Sequence, residues 1–208
     1  MIKKTYAFID ASNLFYGGEK SLGWKIDYLK LFKYLGKKYD TSKVFYFAGV
    51  ETYKYKYDYL TNDTIPLVEL KNYLFKLLRN KKLFGGKRDK ILKEIQKIKF
   101  YLKLESFGFK LFLKPVKIYR KPGGSLEKKA NCDVEMAFYL MKEFTRFDKG
   151  IVLSGDGDFL PVFKHLRKSG KQVLILARAS RTAKEIKQFA GGNFRDFVTL
   201  RGEIEFVK

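Results

Sequence analysis

Two hydrophobic spacings alternate along the chain. Short apolar runs, typical of buried strands, are separated by stretches in which apolar residues recur every three or four positions, as they do on one face of a helix. The predicted strands are Lys4–Asp10, Lys43–Phe47, Phe109–Lys114, Ile151–Leu153, Gln172–Leu176 and Phe197–Leu200. The predicted helices are Asp27–Tyr39, Pro66–Leu78, Asp89–Glu105, Asn131–Phe144, Phe159–Lys168 and Thr182–Phe189.

This order of elements predicts an α/β fold. Strands that alternate with helices are typical of a sheet with mainly parallel strands. The 208 residues, of which 46% are hydrophobic, fit one domain with a sizeable core. We therefore predict a single domain over residues 1–208, in which the polar segment Lys121–Lys129 is a loop.

The segment Tyr53–Tyr59 alternates four tyrosines with charged residues. If this segment is extended, the four rings share one face, because side chains alternate across a strand. Such a face could stack on nucleic-acid bases. The alternative is that the tyrosines pack as ordinary core residues in a strand or a helix, and the sequence favours this alternative.

The charge balance predicts a polyanionic partner. Lys and Arg number 44 against 22 Asp and Glu, a net charge of +22. Nucleic acid is the favoured partner, an anionic membrane surface is second, and a uniformly lysine-rich composition is the uninformative alternative. Between Lys54 and Lys117 there are 17 basic and 6 acidic residues, so half of the net charge lies in less than a third of the chain. This concentration favours a local basic patch.

Two predicted helices flank the segment Arg79–Arg88, which contains the breaker Gly85–Gly86 and forms the basic tip of a predicted helical hairpin. A solvated tip without a partner is the alternative. The residues predicted to contact nucleic acid are Arg79, Lys81, Lys82, Lys87, Arg88, Lys128 and Lys129.

Rare residue types exclude several kinds of site. The single Cys132 excludes an intramolecular disulfide and a zinc site built from several cysteines. The single His165 lies within a predicted helix, where we expect a structural role rather than catalysis or metal binding. Neither a signal peptide nor a membrane-spanning run is visible, so we expect a cytoplasmic protein without a membrane partner.

Two carboxylates follow the apolar run Ile151–Leu153. Asp156 and Asp158 lie on the glycine-containing turn that leaves this predicted strand, and ligands bind at that edge of α/β sheets. Two nearby negative charges repel each other, and a hard cation such as Mg²⁺ or Mn²⁺ would remove that penalty. The alternative is local: Asp158 caps the next helix and Asp156 stabilises the turn.

Other polar residues occupy comparable places. Asp10 ends the first predicted strand, Asn13 follows on the turn, and Asp133 opens a helix. The carboxyl ends of parallel strands share one edge, so these residues can converge with the two acids above. Glu135 points away from Asp133 on an ideal helix and is a weaker candidate. A carboxylate cluster in a basic protein predicts metal-assisted hydrolysis of a phosphodiester, with the basic surface holding the polyanion.

Three blocks carry a family resemblance. FIDASNL, the lysine-preceded NCDVEMA and LSGDGDF occur in this order. Together they resemble the NYN family of PIN-like nucleases, specifically its LabA-like branch, over most of the chain. The resemblance implies a three-layer Rossmann-like fold, with residues 61–97 as a helical insertion, and a metal-dependent ribonuclease site. The implied site residues are Asp10, Asn13, Asp133, Asp156 and Asp158.

One position departs from the family pattern. Members often carry an acid further along the Asp133 helix, where this chain has Tyr139, which leaves the number of metals open. We predict an Mg²⁺- or Mn²⁺-dependent ribonuclease with Asp10, Asp133 and Asp156 as main ligands, Asp158 binding directly or through water, and Asn13 orienting water or phosphate.

Two alternatives differ in class. The first is a non-catalytic RNA- or DNA-binding regulator that keeps the fold, which Tyr139 favours. The second is a phosphatase of the haloacid dehalogenase type, which needs a second Asp where this chain has Ser12. The sequence leaves open DNA as a substrate, endo- against exonuclease mode, and oligomeric state, including a homodimer.

Overall fold

The computed structural model describes residues 3–79, 85–120, 124 and 126–207. Its strands are β1 (Thr5–Asp10), β2 (Thr41–Val50), β3 (Phe109–Pro115), β4 (Lys117–Arg120), β5 (Leu126–Lys129), β6 (Lys149–Leu153), β7 (Gln172–Ala177) and β8 (Phe194–Asp196). Its α-helices are α1 (Lys20–Leu22), α2 (Tyr28–Tyr39), α3 (Leu67–Leu78), α4 (Gly86–Phe107), α5 (Asp133–Lys142), α6 (Leu160–Lys168), α7 (Lys184–Ala190) and α8 (Arg201–Ile204).

Shorter helical segments complete the described chain. Asn13–Glu19 is a π-helix that follows β1. The 3₁₀ segments are Phe144–Arg146, Gly157–Phe159, Ala179–Arg181, Gly191–Asn193 and Phe197–Leu200.

The described strands form one six-stranded sheet in the order β3-β2-β1-β6-β7-β8, and a separate antiparallel hairpin of β4 and β5. Every neighbouring pair in the large sheet is parallel. The chain builds outwards from β1 to β2 and β3, and then returns to place β6 on the other side of β1. The order therefore reverses between β1 and β6, and the crevice at such a point is the preferred ligand site of open α/β sheets.

Helices cover both faces of the sheet, so the predicted three-layer α/β fold is confirmed. The protein has a hydrophobic core on each face of the sheet, and alternate residues of β1 contribute to each. Ala7 and Ile9 pack with α2, α3 and α4. Tyr6 and Phe8 pack with α5, α6 and α7 on the other face. All six residues of β1 are buried, which explains why its sequence is almost continuously apolar.

The local signals that predicted the helices operate as expected. The Asp27 carboxylate caps α2 by accepting hydrogen bonds from the backbone amides of Leu29 and Lys30, at 2.9 and 3.0 Å. Leu31 and Leu35, four residues apart, are its buried positions. Helix α4 ends at Gly108, which adopts a left-handed conformation (φ +103°), and β3 begins at the next residue.

The two long helices α3 and α4 form the crossover between β2 and β3, which parallel strands require. Their buried residues belong to the main core rather than to a separate one. These residues include Leu70, Leu74, Ile91, Ile95 and Ile98. No described helix is long and apolar enough to cross a membrane.

The first turns of α4 extend beyond the edge at which the strands of the sheet end. The Glu94 carboxylate accepts a hydrogen bond from the Glu51 amide at 2.9 Å, and the Tyr101 hydroxyl donates to the Gly49 carbonyl at 3.0 Å. This part of α4 is therefore level with the carboxyl end of β2. The eight steps from Gly86 to Glu94 correspond to about 12 Å of helix at ~1.5 Å per residue. The hairpin formed by α3 and α4 thus projects beyond the edge where the strands end.

Two sequence predictions are wrong, and a third is only partly right, because most of the tyrosines in Tyr53–Tyr59 pack against the core as predicted but not in a strand or a helix. Phe197–Leu200 is a 3₁₀ segment and the last strand is β8, because Phe197 and Leu200 reach the core equally well at a spacing of three. The predicted loop Lys121–Lys129 contains β5, whose LEKK sequence lacks the apolar alternation of a buried strand. Tyr53–Tyr59 is neither strand nor helix, and Tyr53, Tyr55 and Tyr57 pack partly buried against the core while Tyr59 is exposed.

We expect Gly49→Ala to destabilise the protein. A methyl group on Gly49 would collide with the Ala130 side chain, just before α5. Overpacking of this kind costs about 1–3 kcal/mol. Chemical denaturation would measure the change in the free energy of unfolding.

Gly36→Ala is the matched control. A methyl group there meets no atom within 4 Å, and Gly36 lies inside α2. Alanine should stabilise this helix by about 0.5–1 kcal/mol. Equal stability of the Gly49→Ala variant and the wild type would contradict the close approach of β2 to the segment before α5.

Candidate metal centre

The predicted acids meet where the sheet order reverses. Ile9 of β1 pairs with Leu153 of β6, so the residues that follow these two strands leave the sheet side by side. Asp10 ends β1, and Asp156 lies three residues after β6. Asp133 approaches the same edge as the first residue of α5.

A cavity of about 530 Å³ lies at this edge. All five residues of the predicted site line it, together with side chains that the sequence did not single out. The lining residues are Asp10, Ser12, Asn13, Tyr16, Ala130, Asn131, Cys132, Asp133, Asp156, Asp158 and Arg181.

Three of the acids are close enough to share a cation. Asp133, Asp156 and Asp158 each offer one carboxylate oxygen, and these oxygens lie within 4.8 Å of one another. Two of the side chains are half-buried and Asp158 is exposed. Such an all-oxygen set suits a hard divalent cation, so the donor chemistry fits the predicted metal. Asp10 lines the same cavity but is not one of this triad.

Asp10 is held in place by the turn that follows it. One carboxylate oxygen accepts hydrogen bonds from the amides of Ser12 and Asn13, at 2.9 and 3.2 Å. The other accepts from the hydroxyl of the fully buried Ser154, at 3.4 Å. The side chain is therefore oriented before any ligand arrives.

Burial is the main cause that raises the pKa of Asp10 from 3.8 to about 6. The amide of Asn13 opposes this shift by hydrogen bonding to the charged form, and the negative charges of Asp133 and Asp156 add to it. The ionised form is thus disfavoured by its surroundings, and a cation in the cavity would favour it.

The structure separates the local role of Asp156 from that of Asp158. The Asp156 carboxylate accepts from the Asp158 amide at 3.0 Å and caps the 3₁₀ segment Gly157–Phe159. In the described residues, the Asp158 carboxylate caps no helix. Asp156 therefore stabilises the turn, as the alternative interpretation of the sequence expected. This hydrogen bond uses only one of its two carboxylate oxygens.

Glu135 and Tyr139 of α5 do not join the cluster. Glu135 forms an ion pair with Lys114, which also donates to the Asn131 carbonyl at 2.7 Å. Tyr139 is buried, with its ring centroid 3.8 Å from that of Phe112. Its hydroxyl donates to the Asp63 carboxylate at 3.2 Å, and burial is the main cause that raises its pKa to about 12.

Cys132 and His165 differ in their position relative to the cavity. Burial is the main cause that raises the pKa of the Cys132 thiol to about 12, so the thiol stays protonated although it lines the cavity. His165 lies on the exposed side of α6, with its ring 5.8 Å from that of Phe144, and it does not line the cavity.

Sequence reasoning missed Ser154 and Arg181. Ser154 belongs to the LSGDGDF block, but only the fold shows its hydroxyl beside Asp10. Arg181 follows β7, and the rule that drew attention to residues after β1 and β6 would have found it too.

The structure describes only some of the basic residues that were predicted to contact nucleic acid. Arg79, Lys87 and Arg88 are exposed near the projecting end of the hairpin of α3 and α4, and Arg88 donates to the Leu78 carbonyl at 2.9 Å. Lys81 and Lys82 lie outside the described residues. The backbones of Lys128 and Lys129 belong to β5, and their side chains are outside what the structure describes.

We expect Asp10→Asn to flatten the dependence of stability on pH in metal-free protein. The pKa of Asp10 is about 6 in the folded protein and ordinarily 3.8, so the folded state holds its proton to higher pH. Wild-type stability should therefore fall as pH rises from about 4 to 6 and then level off. Above pH 6 the variant should be more stable by up to about 3 kcal/mol. Urea denaturation in EDTA between pH 4 and 8 would measure both effects.

Asp27→Asn is the control for this prediction. Asp27 also accepts two backbone amides, but at the start of α2. Its loss of charge at a helix N-terminus should destabilise the protein slightly at pH 7. A pH profile of Asp10→Asn parallel to that of the wild type would show that the buried carboxyl does not carry the effect.

The chain is similar to known proteins along most of its length. The chain is 22% identical over 201 residues to the Low amplitude and bright protein LabA of Synechococcus elongatus, which covers 95% of this chain and 86% of LabA. Its fold resembles that of the protein of unknown function VPA0982 from Vibrio parahaemolyticus, with a TM-score of 0.63 and 17% identity over 98% of this chain and 96% of the other.

A weaker likeness, with a TM-score of 0.46 and 12% identity, is to the T5 D15 protein co-crystallised with metal ions, over 88% of this chain and 59% of the other. A similarity of that size carries no argument about this chain. The model of the NYN domain family matches residues 4–197, a span that includes every acid of the cluster. The family predicted from the three sequence blocks is therefore confirmed, and this chain belongs to the NYN domain family.

Proposed function

We propose that this chain is a divalent-metal-dependent ribonuclease that hydrolyses phosphodiester bonds. The observation that carries the proposal is the triad of Asp133, Asp156 and Asp158, whose carboxylate oxygens lie within 4.8 Å of one another in an open cavity. Membership of the NYN family, which belongs to the PIN-like nucleases, and this cluster both fit a metal-dependent nuclease.

The net charge of the protein and the charge of the side chains that line its cavity differ in sign. The protein as a whole is strongly basic, with a net charge of +22, yet its cavity is lined by four acids. A polyanion would be attracted by the whole and repelled at the cavity unless a cation occupies it. This contrast supports nucleic acid as the substrate and Mg²⁺ or Mn²⁺ as the cofactor.

The proposed roles follow from position. Asp133 and Asp156 would bind the cation directly, Asp158 directly or through water, and Asp10 from the adjacent wall of the cavity. When bound, such a cation polarises a phosphodiester and lowers the pKa of water. Asn13 lines the cavity and would orient water or a phosphate oxygen with its side-chain amide. Ser154 would position Asp10 through its hydrogen bond.

The projecting hairpin supports RNA binding at the same edge of the sheet as the cavity. It rises about 12 Å beyond the carboxyl end of β2, and the cavity lies at that same edge of the sheet. Arg79 and Lys87 are exposed there. They would hold backbone phosphates of a strand whose scissile bond lies at the acids.

A non-catalytic RNA-binding protein is the second candidate, and two observations on α5 favour it. Tyr139 is buried against an aromatic layer, and Glu135 is paired with Lys114. The helix therefore presents Asp133 as its acid in the cavity, and a second metal position would have fewer ligands.

Asp156→Asn separates the two candidates. Asparagine keeps the size of the side chain and can still accept from the Asp158 amide, so the variant should fold. It should bind RNA and lose cleavage at least ~100-fold, because each ~1.4 kcal/mol of lost transition-state stabilisation is a factor of ten. Single-turnover cleavage of a mixed RNA pool in Mn²⁺, with an EDTA control, would measure this loss.

Calorimetric titration with Mn²⁺ should show weaker binding to Asp156→Asn than to the wild type. Thermal melts in EDTA should show equal or greater stability of the variant, because one member of a repelling group is gone. A destabilised variant with wild-type cleavage would sink the catalytic assignment. A wild type that binds RNA but never cuts it with either metal would support the second candidate.

A charge substitution tests the hairpin. Arg79→Ser/Lys87→Ser should weaken RNA binding and reduce the slope of log affinity against log salt by about 0.7 per lost phosphate contact. Lys37→Ser/Lys38→Ser removes the same charge from the exposed end of α2, which precedes β2 at the opposite edge of the sheet. Equal effects of the two double variants would mean that the charge acts uniformly and not at the hairpin.

A further inference from the structure

A second cavity, of about 470 Å³, adjoins the acid-lined one. Asn13, Asp156 and Arg181 line both, so these three residues form the boundary between them. Beyond this boundary the lining contains no acid and consists of two loops. The residues added there are Gly155, Gly157, Ser180, Thr182 and Ala183.

The two loops are fixed against each other. The Ala183 amide donates to the Gly155 carbonyl at 3.0 Å, and the Thr182 hydroxyl donates to the Arg178 carbonyl at 2.9 Å. A methyl group on Gly155 would collide with Thr182, so glycine is required for this approach. Arg178 in turn forms an ion pair of 2.8 Å with Asp196. The backbone that carries Arg181 is therefore tied to the turn that carries Asp156.

Arg181 has no carboxylate partner within 4.0 Å among the described residues, although its cavity contains four acids. Arg178, three residues earlier, is paired with Asp196 and serves structure. The Arg181 side chain is exposed, and its backbone amide bonds to the Arg178 carbonyl at 2.9 Å. A guanidinium on a fixed backbone, facing an open cavity, is well suited to bind a phosphate through two of its N–H groups.

We infer that the second cavity is a phosphate subsite, in which Arg181 binds the backbone phosphate next to the one at the acids. This inference rests on the proposed function, because it places the neighbouring phosphate at Asp133, Asp156 and Asp158. The ligand is a single strand of RNA that crosses the boundary formed by Asn13 and Asp156. Thr182 and the Glu185 side chain fill the space beside Gly155 and Gly157, and Ser180 lines the same cavity with a hydroxyl donor.

The competing interpretation is that Arg181 only balances the charge of the acids. That role would favour an ion pair with Asp156 or Asp158, and the structure contains none among its described residues. The two interpretations predict opposite responses. A counter-charge affects metal affinity when it is removed, whereas a phosphate ligand affects RNA affinity.

The test compares Arg181→Gln with Arg181→Lys and with a control, Arg146→Gln. Arg146 is exposed and lies just before β6, at the opposite edge of the sheet, where it pairs with Glu143. Binding of a fluorescein-labelled 12-nucleotide single-stranded RNA is measured by anisotropy in EDTA across a range of salt concentrations. Thermal melts establish that all three variants fold.

Arg181→Gln should weaken RNA binding about tenfold and lower the salt slope by about 0.7, the value of one single-strand phosphate contact. Arg181→Lys should keep most of the slope and recover part of the affinity, because it keeps the charge but loses the planar fork. Mn²⁺ affinity, measured by calorimetry, should stay within twofold of the wild type.

Two results would overturn the inference. One is unchanged RNA binding with Mn²⁺ affinity raised severalfold, which is the counter-charge interpretation. The other is an equal loss of RNA affinity in Arg181→Gln and Arg146→Gln, which is uniform electrostatics. Because the RNA measurement is made in EDTA, an Arg181-dependent slope in a protein that never cleaves RNA would contradict the ribonuclease proposal and leave the subsite intact.

Discussion

The parallel pairing of β1 with β6 is the constraint on which the rest of the site depends. It places Asp10 beside Ser154 and the turn of Asp156, although more than 140 residues separate them in sequence. The intervening chain forms β2 and β3 on one side of β1 and then continues into α5, whose first residue, Asp133, lies at the same edge. A change that shifted this register by one residue would point Asp10 towards the opposite face.

The site combines two opposing electrostatic demands. Its acids are grouped so closely that burial and mutual repulsion disfavour ionisation of Asp10, while the surrounding protein carries a large positive charge. Amides and a hydroxyl stabilise the Asp10 carboxylate without neutralising it. The fold thus tolerates a local cost in stability at the place where a cation would be useful, which is a common property of functional sites.

Strong local patterns made much of the fold predictable. β1 contains the apolar run Tyr6–Ile9, β6 contains the apolar run Ile151–Leu153, and α2 has a capping aspartate, so each was recognisable in isolation. The acids were predictable because they follow such strands. The polar β5 was missed because its LEKK sequence lacks the apolar alternation that marks a strand, and only the structure shows its pairing with β4. Ser154 was missed for a different reason, since its relevance depends on its distance from Asp10, which the sequence alone does not contain. Arg181 was missed because the rule for residues that follow a strand was not applied to β7.

Tyr139 connects α5 to two other parts of the fold. Its ring lies in the aromatic layer with Phe112, and its hydroxyl reaches Asp63 in the segment between β2 and α3. The residue therefore tethers α5 to the segment that leads into the crossover. An acid at 139 would not simply complete a second metal position, because it would bury a charge among aromatic rings and release that tether. The residue that attaches α5 to its neighbours therefore also limits how many acids this helix can bring to the cavity.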